Sequence, residues 1–390
     1  MNYKQSIIKQ SVEYILIMPI VTLGRLFGTL IRPPKIYTHF LFFPSADIGG
    51  SVKVNAEITE CIKDKKTLII FSKTPRNNKF KDLFVMEGVD ILDLSKWLDN
   101  KAIHFINIFF RGFIASWIKR AQNSVVFGGE CLYFYKIIPH LSNKSRIIEL
   151  CHLNTWIDYT QAFIKKIDKR IFSTQKIMRD HELQYTRNNI ERKFHDRLFF
   201  IDNKIEIPAY HYTQNEKLEV LYVGRGAPQK RVHLMIKIAL MAAENNIPVH
   251  FSFVGDVDHF FDTHSRSICK VYGEIRDRNE LESIYQKSDA LILTSAYEGL
   301  PLVVMDMMAR GKIIISTAVD SIPDYIEDNI TGMLIENKDE EYIISKGVMI
   351  LKHLSQHPEI TKKISLNAYK FACSHFSKEK FDSFYKEILK

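Results

Sequence analysis

The chain has 390 residues, 46% of them hydrophobic and 25% charged, with a formal net charge of +9. That length exceeds one ordinary hydrophobic core and leads to an expectation of two domains of comparable size. The composition, free of low-complexity tracts and short repeats, excludes solenoids and disordered scaffolds. Five scattered cysteines without a Cys-x-x-Cys pair argue against a disulfide framework or a zinc site and fit a reducing compartment.

Charge is unevenly placed. Residues 1–205 hold 32 Lys and Arg against 19 Asp and Glu, or +13, and the remainder hold 22 against 26, or −4. Such asymmetry implies an anionic partner for the first half: nucleic acid, a phospholipid surface or a phosphorylated acceptor. A solvated basic face is the plain alternative.

Residues 1–35 stand apart. The run Tyr14 to Leu23 is apolar but interrupted by Pro19 and followed by Arg25, which leaves fewer than the ~20 apolar residues a spanning helix needs. No small-x-small cleavage site follows it, so a signal peptide is a poor match. Ile15, Leu16, Leu23, Leu26, Phe27, Leu30 and Ile31 recur near helical spacing. Two readings stay open: a helix on an anionic membrane surface and a helix packed on its own domain.

After Pro33-Pro34, short apolar runs alternate with amphipathic stretches. Strands are predicted at Tyr37–Phe43, Thr67–Ser72, Val89–Leu94, Ser124–Phe127, Arg146–Cys151, Lys169–Ser173 and Arg197–Ile201, and then, past a boundary near Asn203–Glu216, at Leu218–Val223, Val249–Val254, Cys269–Tyr272, Ala290–Leu293, Lys312–Ser316 and Met333–Ile335. Near-continuous apolarity with helices between predicts parallel sheets covered on both faces, hence two doubly wound α/β domains. Residues 358–390 read as two helices.

Ligands of open α/β sheets bind beyond the carboxyl ends of strands, so the strand-to-helix loops are where chemistry is expected. The loop Gly224-Arg225-Gly226-Ala227-Pro228-Gln229-Lys230-Arg231 pairs glycines that admit close approach of phosphate with cations that neutralise a diphosphate. An ordinary tight turn with solvated basic side chains is its alternative. A second loop carries Glu298, Gly299, Leu300, Pro301 and Leu302 into a helix start whose free amides can hold phosphate oxygens. Asp306 lies more than a turn inside that helix and suits the hydroxyls of a ribose.

Glu298 and Asp306, separated by seven residues with Gly-Leu-Pro after the first, resemble the Glu, seven residues, Glu signature of glycosyltransferase family four. The resemblance extends through Val223-Gly224-Arg225, Gln229-Lys230, Phe253-Val254-Gly255-Asp256, Tyr272-Gly273-Glu274-Ile275, Ser288-Asp289-Ala290 and Ala309-Arg310-Gly311 to Asp328 and Gly332, over roughly 120 residues. It implies the GT-B fold, with two Rossmann-like doubly wound domains facing each other across a cleft: an acceptor domain over 36–205, a donor domain over 206–372 and a tail over 373–390 that crosses back.

It further implies a retaining transferase that moves a sugar from a nucleoside diphosphate sugar to a hydroxyl of a glycan or lipid-linked acceptor, on the cytoplasmic side. Arg225 and Lys230 would neutralise the diphosphate, and Glu298 would contact the donor sugar. Asp306 would hold the ribose, backbone near Gly273 and Ile275 the base, and the amides of Gly299 to Leu302 the phosphates. In the first half, Gly49 and Gly50 resemble the family's Gly-Gly loop, and His152 resembles a histidine beside the reacting sugar; a plain glycine turn and a core or capping histidine are the alternatives. No cofactor or metal is expected, because the cations take the role of a divalent ion.

Three departures from the pattern stand out. Asp306 is a methylene short, Arg231 replaces the usual glycine after the lysine, and Asp320-Ser321 replaces Gly-Gly before Ile322-Pro323. The rival readings are a sugar-nucleotide epimerase and a catalytically inactive assembly subunit of the same fold. Nucleic-acid binding accounts for the basic half but for none of the motif series.

Overall fold

Strands apolar on both faces can be buried only inside a parallel sheet flanked by helices. The computed structural model, which describes residues 2–213 and 215–390, has two such sheets. Their strands are β1 (His39–Phe43), β2 (Thr67–Phe71), β3 (Val89–Asp93), β4 (Val125–Gly128), β5 (Arg146–Cys151), β6 (Lys169–Phe172) and β7 (Leu198–Phe200), followed by β8 (Leu218–Val223), β9 (Val249–Val254), β10 (Cys269–Gly273), β11 (Ala290–Leu293), β12 (Ile313–Thr317) and β13 (Met333–Ile335). The first sheet runs β3-β2-β1-β4-β5-β6-β7 and the second β10-β9-β8-β11-β12-β13. Every pairing is parallel.

The chain divides into two compact units, one of residues 1–201 with 379–390 and one of residues 202–378. Residues 202–205, expected at the end of the first half, group with the second. The Tyr325 hydroxyl donates to Asp202 at 2.5 Å, and the Ile205 N–H reaches the Phe376 carbonyl at 3.3 Å. The final helix, Lys378–Ile388, belongs to the first unit from Glu379 onward. Arg146 donates to the Ile388 carbonyl at 2.9 Å, and the His39 imidazole Nε2 lies 2.7 Å from the Leu389 carbonyl oxygen.

In the first unit β1 and β2 are buried along their full length. One charge pair lies inside this sheet: Glu149 on β5 and Arg170 on β6 are register partners with Oε2 and Nε 2.7 Å apart and almost no exposure. A buried charge needs such a partner.

Residues 1–35, expected as a separate segment, are part of the first unit. The first long helix, α1 (Tyr3–Leu30), is capped by Asn2, which forms a capping box with Gln5. It packs on α2 (His104–Arg120) by backbone proximity. A Cβ on Gly24 would lie 2.0 Å from the Phe109 carbonyl oxygen, and one on Gly112 would lie 1.9 Å from that of Val21. Polar contacts complete the seam: Glu13 takes Lys136 at 2.6 Å and Arg111 at 3.2 Å, and Arg25 donates to the His140 carbonyl at 3.2 Å.

The second unit has one continuous core of β8 to β13 and the helices against them, among them α3 (Val232–Glu244) and α4 (Leu302–Met308).

Candidate functional site

In the second sheet β8 and β11 are neighbours, so the loops that leave their carboxyl ends meet. Those loops are 224–231 and 294–301. They are joined by backbone and side chain: the Ala296 N–H donates to the Gln229 carbonyl at 2.8 Å, and the Gln229 amide donates to the Tyr297 carbonyl at 2.6 Å. Lys230 and Glu298 form an ion pair across the join, with Glu298 buried and Lys230 nearly so. Two residues distant in sequence and expected at one ligand are thus in contact.

The first loop is built on close backbone packing. A Cβ on Gly224 would stand 2.6 Å from the Tyr222 hydroxyl, and the Gly226 N–H donates to the Asp256 carboxylate at 2.7 Å. Arg225 is exposed, and among the described residues its guanidinium has no bonded partner. A free, fixed cation beside a glycine turn is a ready partner for a phosphate.

Arg231 holds φ at +46°, the left-handed region that favours glycine. Its guanidinium accounts for the side chain there, donating to the carbonyls of Thr294 at 2.6 Å and Ser295 at 2.9 Å and to Asn337 at 2.8 Å. Asp320, the other departure from glycine, also sits at φ +46°, and its carboxylate accepts the Glu298 N–H at 2.8 Å. Both positions keep the backbone a glycine would adopt and add a side-chain tie to the loop that holds Glu298.

Pro301 caps α4, and the amides of Gly299, Leu300 and Leu302 make no hydrogen bond among the described residues. Asp306 is not brought to Glu298. Its carboxylate lies 3.4 Å from the Arg310 guanidinium, one turn on, and Arg310 is gripped by Glu282 at 2.5 Å. At the far edge of the sheet Gly273 holds φ +71° and accepts the Gly255 N–H at 2.8 Å, and Ile275 is half-buried against the core.

The first unit has its own loop cluster. Strands β1, β4 and β5 are adjacent and parallel, which places residues 47–50, 129–130 and 152–153 beyond one sheet edge. Asp47 accepts the N–H groups of Asn77 at 2.9 Å, Asn78 at 3.0 Å and Arg76 at 3.1 Å. Burial works to raise its carboxyl pKa, and these donors outweigh burial and hold it below the usual range. Gly49 caps the next helix, Gly50–Cys61, in extended backbone, and a Cβ there would meet nothing within 4 Å. Neither strain nor crowding from the protein calls for glycine at that position.

His152 follows β5. Burial drives its imidazole down to about 4, and Nε2 is buried without a hydrogen-bond partner among the described residues. The ring is therefore neutral at pH 7, able to accept a proton or a hydrogen bond. Beside it stands Glu130, which sequence reasoning missed. It has φ +50° and accepts the Leu153 N–H at 3.1 Å. Burial pushes its carboxyl up to about 7, against the opposing hydrogen bonds from Leu153 and His152 and with Glu149 adding repulsion. The signal was present in Gly128-Gly129-Glu130 at the end of a predicted strand.

Two parallel Rossmann-like sheets, each with its loops beyond the carboxyl edge, define the GT-B class of fold. Residues 203–371 match the family described as Glycosyl transferases group 1. A Klebsiella pneumoniae relative named as an uncharacterized 41.2 kDa protein in the cps region is 26% identical over 335 residues, 81% of this chain and 83% of that protein. Among solved structures, Anabaena Alr3699/HepE in complex with UDP and glucose superposes with a TM-score of 0.67 at 14% identity, covering 90% of this chain and 99% of that one. A glycosyltransferase from Rickettsia africae ESF-5 gives 0.66 at 17% identity, covering 91% and 99%.

Proposed function

We propose that the chain is a glycosyltransferase that moves a sugar from a nucleoside diphosphate sugar to a hydroxyl of a cell-surface or lipid-linked glycan, with retention of configuration, on the cytoplasmic side of the membrane. The observation that carries this reading is the Lys230–Glu298 pair between adjacent strand-end loops, with the unpaired guanidinium of Arg225 close by in sequence on the same loop. A diphosphate leaving group develops negative charge as the glycosidic bond breaks, and positioned cations stabilise that charge most where water is scarce.

Each residue then has a role. Arg225 and Lys230 meet the diphosphate, and the amides of Gly299, Leu300 and Leu302 supply neutral donors to the same oxygens. Glu298, held by Lys230 and by Asp320, accepts from a hydroxyl of the donor sugar. Asp306 contacts the ribose, and backbone at Gly273 and Ile275 borders the base. In the first unit the neutral His152 accepts from a hydroxyl of the acceptor, and the open space at Gly49, beside Gly50, admits it.

The chemistry requires no metal or organic cofactor, because protein cations neutralise the diphosphate. The Klebsiella relative's cps-region name and the UDP of the Anabaena complex favour a cell-surface glycan and a uridine donor. All five cysteines are unpaired, four of them buried, in keeping with a reducing compartment. The test is a thermal-shift panel of UDP, GDP, ADP and CMP followed by donor hydrolysis with and without EDTA. A nucleoside diphosphate at 100 times its Kd should stabilise by about 2.7 kcal/mol. No shift with any nucleotide, or activity lost in EDTA and restored by magnesium, would overturn the reading.

A further inference from the structure

Helix α1 is inside out for a helix on a water-soluble surface. The face it turns to the protein carries Ser6, Glu13, Val21, Gly24, Arg25 and Gly28, with Val21 its one fully buried large apolar side chain. The face it turns outward carries Ile8, Val12, Ile15, Leu16, Pro19, Leu23, Leu26, Phe27 and Leu30, all exposed, with Ile15 at 68%, Leu16 at 73% and Leu30 at 79%. At 3.6 residues per turn these nine fall within an arc of about 120°, and from Ile8 to Leu30 the stripe runs ~33 Å. A contiguous apolar band of that size on a folded surface marks an interaction site.

Charge decides what covers it. The sole acid of residues 2–36 is Glu13, which faces inward between Arg111 and Lys136. Lys4, Lys9 and Arg32 are exposed at the ends of the stripe, and Arg120 is exposed where its guanidinium meets the Thr29 carbonyl. A second copy of the chain would bring these cations against each other. An anionic lipid surface takes both features, since acyl chains accept the stripe and headgroup phosphates the rim. By length and composition α1 is apolar enough to cross a membrane, contrary to the expectation from the sequence, but on the opposite face the Gly24 and Gly112 contacts and the Glu13 pairs hold it to the protein and favour the in-plane arrangement.

We infer that α1 is a monotopic membrane-docking face that lies in the plane of an anionic leaflet and holds the first unit there. This does not depend on the donor-site reading, since membrane attachment involves no sugar transfer. The full chain is tested by flotation with vesicles of phosphatidylcholine alone and with phosphatidylglycerol, beside Leu16→Glu/Leu23→Glu on the stripe and Met349→Glu, an exposed apolar residue elsewhere. Circular dichroism checks that the variants fold, and light scattering gives the mass of the lipid-free protein.

The native chain and Met349→Glu should float with the anionic vesicles, at least ten-fold more than with the neutral ones, and the stripe variant should stay in solution with native circular dichroism. Absence of flotation with anionic vesicles overturns the inference. So does flotation of the stripe variant at the native level. A native dimer that the stripe variant dissociates, with no lipid binding by either, would assign the stripe to a second copy instead.

Discussion

The carboxylate of Asp320 accepts the backbone N–H of Glu298 at 2.8 Å from a residue held at φ +46°. Position 320 therefore carries two opposed contributions, a hydrogen bond that steadies Glu298 and backbone strain that glycine would remove. Asp320→Ala loses the bond and keeps the strain, whereas Asp320→Gly loses both, at about 1 kcal/mol each. Melting temperatures of wild type and Gly should therefore be similar, and that of Ala lower. Donor turnover should drop in both variants because Glu298 is freed. Equal melting temperatures for Ala and Gly would show that the left-handed backbone is not enforced.

Arg225 and Lys230 differ in what else they hold. Arg225 is exposed and unbonded, so Arg225→Ala should weaken nucleoside diphosphate binding by roughly 10- to 100-fold, the worth of one charge-assisted bond, at unchanged stability. Lys230→Ala strands the buried Glu298 and should also lower the melting temperature. Adding Glu298→Gln to Lys230→Ala should restore most of that stability and none of the affinity. Calorimetric titration with the diphosphate, beside thermal melts, separates the two effects.

Asp306 is tested by length. As a ribose ligand, Asp306→Glu should keep nucleotide affinity and Asp306→Ala should reduce it about five-fold, at the ~1 kcal/mol of one hydrogen bond. If the residue serves only to orient Arg310, at 3.4 Å, the two variants will bind nucleotide alike and differ from wild type in stability alone.

The Glu130 carboxyl, raised from 4.5 to about 7, is more protonated in the folded chain than in the unfolded one across that window. Its contribution to stability is therefore full below pH 4.5 and falls as pH rises towards 7. His152, lowered from 6.5 to about 4, has the opposite slope: its contribution is present above 6.5 and lost as pH falls towards 4. Glu130→Gln removes the first alone. The melting-temperature gain of Glu130→Gln over wild type should be near zero at pH 4.5, grow to pH 7 and then level off. A gain that does not vary with pH would mean that Glu130 is ionised in the fold.

All thirteen strands were legible because a short apolar run bounded by turn residues marks a parallel strand, whether it is buried throughout, as β1 and β2 are, or half-exposed at a sheet edge, as β3 is. The link between Lys230 and Glu298 was legible only as two motifs, since their contact depends on β8 and β11 being neighbours in the sheet. Arg231 and Asp320 read as departures because a sequence shows the residue type and not its φ angle, and their side-chain ties appear only with the loops in place. The apolar residues of α1 were visible, but which way they faced was set by Gly24 meeting Phe109 and Gly112 meeting Val21. That seam spans some 90 residues of sequence and leaves no periodic trace.

The last helix bears on how the molecule is made. Phe381, Tyr385, Ile388 and Leu389 are buried, and their carbonyls and rings complete a unit whose other residues end at 201. On the ribosome the first 201 residues emerge with that patch uncovered and wait while residues 202–378 are synthesised, roughly 10 to 35 seconds at 5–20 residues per second. The second unit, contiguous in sequence, can finish folding before the first one does. A nascent first unit with an open apolar patch is where a chaperone would be needed, and a stop codon just before Lys378 would leave every donor-site residue in place yet yield a protein prone to aggregate.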